Sequence, residues 1–250
     1  MAFRFLRHFR AHQIAPSAAS YAAATQVAAW SWLDPEGRDQ LVADTDLLLR
    51  SFTWEPARGF ELTDAICATI AAHAALLTLG LGMDSYRNVT SVIVHPSTIE
   101  MRGEHQVGGG IVANGTMDLL GQAHLRGPVL IAWDSALDQA RHPERGHNVI
   151  FHEFAHHLDM LDGWIDGTPP LPTTELRARW IAVCTDEFER LRSGDTADGV
   201  LDGYGATDPG EFFAVITEVF FARPAALAAL RPELYDVLSR YYLQDPAGLN

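Results

Sequence analysis

The run His152-Glu153-Phe154-Ala155-His156 constrains this chain most, because its chemistry calls for a helix. Positions i and i+4 share a helical face, so both imidazoles can reach one ion at roughly 2.0 to 2.1 Å, with Glu153 beside them to manage the proton of an attacking water. The neighbouring residues supply that helix. Asn148 is a ready N-cap, Gly163 a ready stop, and Phe151, Phe154, Leu158 and Leu161 form the apolar stripe that would fasten it to a core. A composition like this one yields roughly 0.03 such matches by chance, which makes the motif specific. His157 points about 100° away from His156 and reads as a histidine of another face.

A catalytic zinc ion takes three protein ligands and keeps one position open, so a third ligand must come from elsewhere. Two carboxylates stand out: Glu211 and Glu218, seven residues apart and hence on one face of a helix from Pro209 to Ala222 that Pro224 stops. Glu211 also fits a helix start, with Asp208 as N-cap, Pro209 at N1 and Glu211 at N3. Judged on residues alone the two are equal: either could bind the metal and leave the other to orient a histidine. Asp159, three residues past His156, is another candidate for orienting a ligand, since an acid in the last turn opposes the helix dipole and calls for a compensating partner.

With 250 residues, 48% of them hydrophobic, there is ample material for a buried core. Residues 17 to 60 read as helices with turns at Asp34-Pro35 and Pro56 to Gly59. Leu62 to Met83 approaches membrane-spanning length, but Asp64, Thr69, His73 and Thr78 interrupt it, so it reads as a buried helix capped by Thr63 and stopped by Gly80 and Gly82. Strand-like runs follow at Val89 to His95, Gln106 to Ala113 and Pro128 to Trp133; the helical pattern returns from Asn148, with loops at 167 to 174 and 193 to 203. Helices, then strands, then helices predict an α+β protein with one small sheet, a single domain over 1–250 with the helical 1–60 segment packed on it.

The charge is −14, carried with eighteen Arg and no Lys. No phosphate-cradling Gly-Lys motif, Schiff-base lysine or lysine general base is therefore available, and direct nucleic-acid binding, which needs clustered cations, is not expected. Cys67 and Cys184 lie far apart inside apolar helical patterns and offer no disulfide framework. Met1 to Gln13, with Arg4, Arg7 and Arg10 among aromatic residues, reads as a terminal helix docked on its own domain, not as a signal peptide, so a cytoplasmic protein without a transmembrane segment is expected.

Two stretches carry a family likeness: residues Gly146 to His156, and Tyr204-Gly205-Ala206-Thr207-Asp208-Pro209-Gly210-Glu211-Phe212-Phe213-Ala214-Val215. They resemble the Mlc titration factor A family of zinc-dependent peptidases, and the similarity extends through Leu62-Thr63-Asp64 and Tyr241-Tyr242-Leu243-Gln244-Asp245-Pro246. The second stretch is also similar to the catalytic domain of anthrax lethal factor. The resemblance implies that Glu211 is the third ligand and that Tyr204 hydrogen-bonds a developing oxyanion. It further implies a gluzincin-like fold, one Zn²⁺ per chain, aminopeptidase-like activity on short peptides and, in enterobacteria, binding to the glucose repressor Mlc. Gly210 and Thr217 depart from the family's expected Ala and Ser. Gly203 and Gly205 beside Tyr204 point to a loop over a cleft. Two functions follow as expectations: a zinc metallopeptidase with Glu153 as general base, or a regulatory protein that sequesters a transcriptional repressor, its peptidase activity secondary.

Overall fold

Most helices begin where a side-chain oxygen can satisfy the first free N–H groups of the turn. In the computed structural model, which describes residues 15–98, 106–107, 111–112, 127–194 and 198–248, Ser17 caps α1 (Ala18–Ala24), Asp34 caps α2 (Pro35–Ser51) and Thr63 caps α3 (Asp64–Thr78). After α4 (Trp133–Arg141), Asn148 caps α5 (Val149–Asp159), Thr173 caps α6 (Thr174–Arg192) and Asp208 caps α7 (Pro209–Ala222). The last two helices, α8 (Pro224–Leu230) and α9 (Pro232–Tyr242), start instead on prolines, whose missing N–H costs nothing in a first turn.

Between these helices lies a small sheet of three parallel strands, β1 (Thr53–Pro56), β2 (Ser91–His95) and β5 (Val129–Ala132), in the order β1-β2-β5. The register aligns Trp54 with Val92 and Val92 with Val129. Parallel neighbours need a crossover, and α3 is the one between β1 and β2. Two further short strands, β3 (Gln106–Val107) and β4 (Ile111–Val112), pair antiparallel as a separate sheet. The fold is thus α+β and mostly helical, and it corrects the sequence reading in two places. The expected strand Gln106 to Ala113 is two strands folded back on each other, so there are two sheets among the described residues, and Ala113 itself lies outside them. The 17–60 stretch holds a strand as well as helices; β1 escaped notice because Thr53-Trp54-Glu55-Pro56 is polar, and its proline is tolerated on an edge strand. The expected helix Met1 to Gln13 also falls outside the described residues.

The core runs from Ala24 to Tyr242, and α3, α5 and α7 cross its middle. In α7 every residue from Gly210 to Phe221 is buried, Glu211 and Glu218 included. Burying carboxylates in so apolar a helix is costly unless both find partners. Beyond α3, a Cβ at Gly80 would stand 2.2 Å from the Tyr242 carbonyl oxygen, so only glycine admits the C-terminal segment there. Among the described residues no single helix is long and apolar enough to cross a membrane.

Candidate metal centre

Local capping and aromatic packing fix the rotation of α5. The Asn148 Oδ1 accepts from the Ile150 and Phe151 N–H groups at 3.1 Å each, and Phe154 packs against Phe52 and Tyr86 at ring distances of 5.9 and 5.0 Å. The opposite face, with His152 and His156, then meets α7. There Asp208 Oδ1 accepts from the Glu211 N–H at 3.0 Å and performs the capping, while the Glu211 carboxylate reaches the histidines.

Three donor atoms converge: His152 Nε2, His156 Nε2 and Glu211 Oε2. The two Nε2 atoms are 3.3 Å apart, and Glu211 Oε2 stands 3.0 Å from His152 and 3.6 Å from His156. Ligands at tetrahedral angles around an ion with bonds of roughly 2.0 to 2.1 Å stand about 3.3 to 3.4 Å apart, a value these three distances straddle. Glu211 Oε2 is buried and accepts no hydrogen bond among the described residues, an expensive arrangement unless a cation takes it up. The donor set therefore fits a divalent metal of the zinc type.

Glu218 sits behind His152. Its Oε1 is 2.8 Å from His152 Nδ1, and its Oε2 accepts from the Asn148 backbone N–H at 2.5 Å. A ring whose Nδ1 donates to a carboxylate presents a bare Nε2 toward a metal, the usual orienting arrangement for a histidine ligand. Burial pulls the His152 pKa down, but the carboxylates of Glu211 and Glu218, with the charge of Glu153, carry it well above the usual imidazole value. Burial would lift Glu211, yet the imidazoles of His152 and His156 beside it hold it well below the usual carboxylate range. The Glu153 carboxyl is pushed up to about 7 by burial, against the lowering influence of the two imidazoles.

The remaining candidates differ in their contacts. Tyr204 lies on a short turn, Gly203–Ala206, with its ring 6.2 Å from that of His152; Asp202 Oδ1 accepts its N–H at 2.7 Å. A cleft of about 150 Å³ runs between His152, Tyr204, His147 and Gln139. Asp159 is fully buried, but its Oδ2 accepts from the Gly167 N–H at 2.9 Å instead of meeting a histidine, and burial lifts its pKa to about 7. The partner that its place in the last turn called for is thus a loop amide across from α5. His157 is buried away from the cluster, its carbonyl accepting from Asn88 Nδ2 at 2.9 Å.

Sequence reasoning missed the Asn148 amide, since backbone donors leave no signal, and Gln139, whose Oε1 accepts from the Val149 N–H at 2.6 Å. Gly210 and Thr217 each meet a local constraint. A Cβ at Gly210 would approach Ile165 Cγ2 to 2.6 Å, and Thr217 Oγ1 shares a buried hydrogen bond with the Tyr242 hydroxyl at 2.7 Å.

Paired histidines on one helix and a glutamate on a second helix packed against it, set beside a small sheet, are the outline of a metallopeptidase. Residues 3–243 match the glucose-regulated metallo-peptidase M90 family, and the chain belongs to it. It is 36% identical to an uncharacterised protein of Synechocystis sp. over 87% of this chain and 80% of that one. Mlc titration factor A of Serratia proteamaculans is 33% identical, over 86% of this chain and 82% of its own. Mlc titration factor A of Cronobacter sakazakii is 31% identical, over 94% and 89%.

Proposed function

We propose that the chain is a zinc-dependent peptidase, aminopeptidase-like on short substrates, built as one gluzincin-like domain over residues 1–250 with the 1–60 segment packed on it. The observation that carries this reading is the cluster itself: two imidazole nitrogens and a carboxylate oxygen at tetrahedral spacing, the oxygen buried without a hydrogen bond. His152, His156 and Glu211 would hold the ion. Zinc at such a site supplies Lewis acidity, lowering the pKa of water to about 7 and polarising a carbonyl.

The chain's own groups do the rest. Glu153 takes the proton of the attacking water and hands it to the leaving amine. Tyr204 donates its hydroxyl hydrogen to the oxyanion that develops at the scissile carbon. Glu218 accepts from His152 Nδ1 and so keeps Nε2 aimed at the ion. Asp159 acts at one remove, tying the Gly167 loop to the end of α5.

The test compares aminoacyl anilides with their N-acetylated forms as substrates. Hydrolysis should favour the free amine, stop on adding a chelator and return with zinc. Undiminished turnover in chelator would overturn the reading.

A second reading draws on the relatives' name, Mlc titration factor A: a regulatory protein that sequesters a transcriptional repressor. Repressor binding that survives Glu153→Gln would separate this role from hydrolysis. A cytoplasmic setting goes with both, and the two free cysteines, both buried, are compatible with it. Direct nucleic-acid binding is no part of either, given the charge of −14.

A further inference from the structure

A second cavity, of about 300 Å³, adjoins the cleft of about 150 Å³. It shares His147, Asp202, Val215 and Glu218 with the cleft that reaches His152 and Tyr204, and it extends from them to Gly199 and Arg223. Three basic side chains line it, and two of them face acids. Arg145 Nη1 pairs with Asp138 at 2.7 Å, and His147 Nε2 stands 3.8 Å from Asp202. The third is Arg223, whose guanidinium meets, among the described residues, one neutral acceptor, the Gly199 carbonyl at 3.2 Å.

The acids in the cavity are committed elsewhere. Both Glu218 oxygens are engaged, by His152 Nδ1 and the Asn148 amide, while Asp202 Oδ1 accepts the Tyr204 N–H. Arg223 is also firmly seated. It occupies the corner between α7 and α8, its N–H bonded to the Val219 carbonyl at 2.8 Å and its carbonyl accepting from Leu227 at 3.1 Å. Its side-chain stem crosses Gly146, where a Cβ would come within 2.9 Å of Cδ. Gly146 has φ +82°, so glycine both allows that turn and makes room for the arginine.

A half-buried arginine whose guanidinium meets no acid among the described residues, in a chain of charge −14, is a selective receptor for an anion. Its planar fork matches a carboxylate best. We propose that this cavity is a carboxylate-binding subsite of the substrate cleft, with Arg223 gripping either the C-terminal carboxylate of a short peptide or an acidic side chain. The inference rests on the peptidase reading and names the substrates it favours: short peptides with a free acid or with Asp or Glu.

The test uses the zinc-loaded full chain and three peptides: a tripeptide with a free C-terminus, its C-terminal amide, and amides carrying one Glu. Turnover is measured for each, and calorimetry on Glu153→Gln measures binding without hydrolysis. The free acid, the Glu peptides or both should exceed the plain amide about 10-fold or more in kcat/KM and in affinity. Arg223→Met should erase that ratio, and Arg223→Lys should keep part of it, the charge surviving without the fork. Which peptides gain identifies the source of the carboxylate. No preference in the wild type, or an Arg223→Met loss that falls equally on acid and amide, would overturn the subsite and leave Arg223 as a brace for Gly199. Failure to cleave any peptide would instead sink the peptidase reading, with calorimetry still deciding the subsite.

Discussion

On the α5 and α7 side of the cleft, His152, Glu211 and Glu218 are buried, and each meets a charged partner held by a packed helix. On the opposite side, Tyr204 is 36% exposed and sits in a glycine-rich stretch with Gly199 at φ +60° and Gly203 and Gly205 as its neighbours. That stretch is held at few points: the Asp198 carboxylate pairs with Arg231, which also pairs with Glu187 of α6, and Thr207 Oγ1 donates to the Tyr204 carbonyl at 2.7 Å. The contrast follows the work each side would do. Metal donors must keep their geometry before substrate arrives, which packed helices ensure. A group that acts on substrate alone can sit on a turn whose adjustment costs little.

Breaking the helical side should have the largest effect. His152→Ala or Glu211→Ala removes one of three protein bonds to the ion and should abolish tight zinc binding, measured as metal content by mass spectrometry after dialysis. Tight zinc in Glu211→Ala would make that residue part of the helix start and nothing more.

Next come two substitutions that should spare the metal. Glu153→Gln keeps the shape but accepts no proton, so hydrolysis should fall by about 10²-fold or more. Tyr204→Phe should lower kcat by about 10²-fold with KM and zinc content nearly unchanged, as expected for one oxyanion donor. If Tyr204→Phe released zinc, the exposed turn would belong to the metal's support and the contrast between the two sides would collapse.

The sequence carried the helical side well because local rules act there. An i, i+4 pair, Asn148 as N-cap and Asp208-Pro209 as a helix start are all written within a few residues of their effect. Glu211 and Glu218 could not be ranked from the residues, since α7 is buried on all sides and no polar face distinguishes one position from the other. What distinguishes them is tertiary: Glu211 meets both Nε2 atoms and Glu218 the Nδ1 of His152. Asp159 was legible as an acid in need of a partner, but the Gly167 amide lies across a loop that spacing cannot reach. The parallel pairing of β1 with β2 was hidden for the same reason, its two strands being separated by all of α3.

A smaller effect should follow from Glu218→Ala. It leaves all three donors in place and frees the His152 ring, so zinc affinity should drop 10- to 100-fold in a chelator titration, short of the loss in Glu211→Ala. A larger loss than Glu211→Ala would exchange the roles of the two carboxylates.

The smallest effect tests how rigid the packed side is. Thr217 is buried one residue before Glu218 and points instead to α9, where its hydroxyl meets that of Tyr242 at 2.7 Å. Thr217→Val keeps the volume and leaves the Tyr242 hydroxyl without this partner, a cost of about 1 to 3 kcal/mol. Thr217→Ser keeps the hydrogen bond and loses one buried methyl, about 1 kcal/mol, or a Tm lower by about 2 to 4 °C. Both should leave zinc affinity untouched, because the change faces α9 while Glu218 is held by α5 through His152 and the Asn148 amide. A shift in zinc affinity in Thr217→Ser would mean that a single methyl behind α7 reaches the metal, and that the helical side yields as readily as the turn across the cleft.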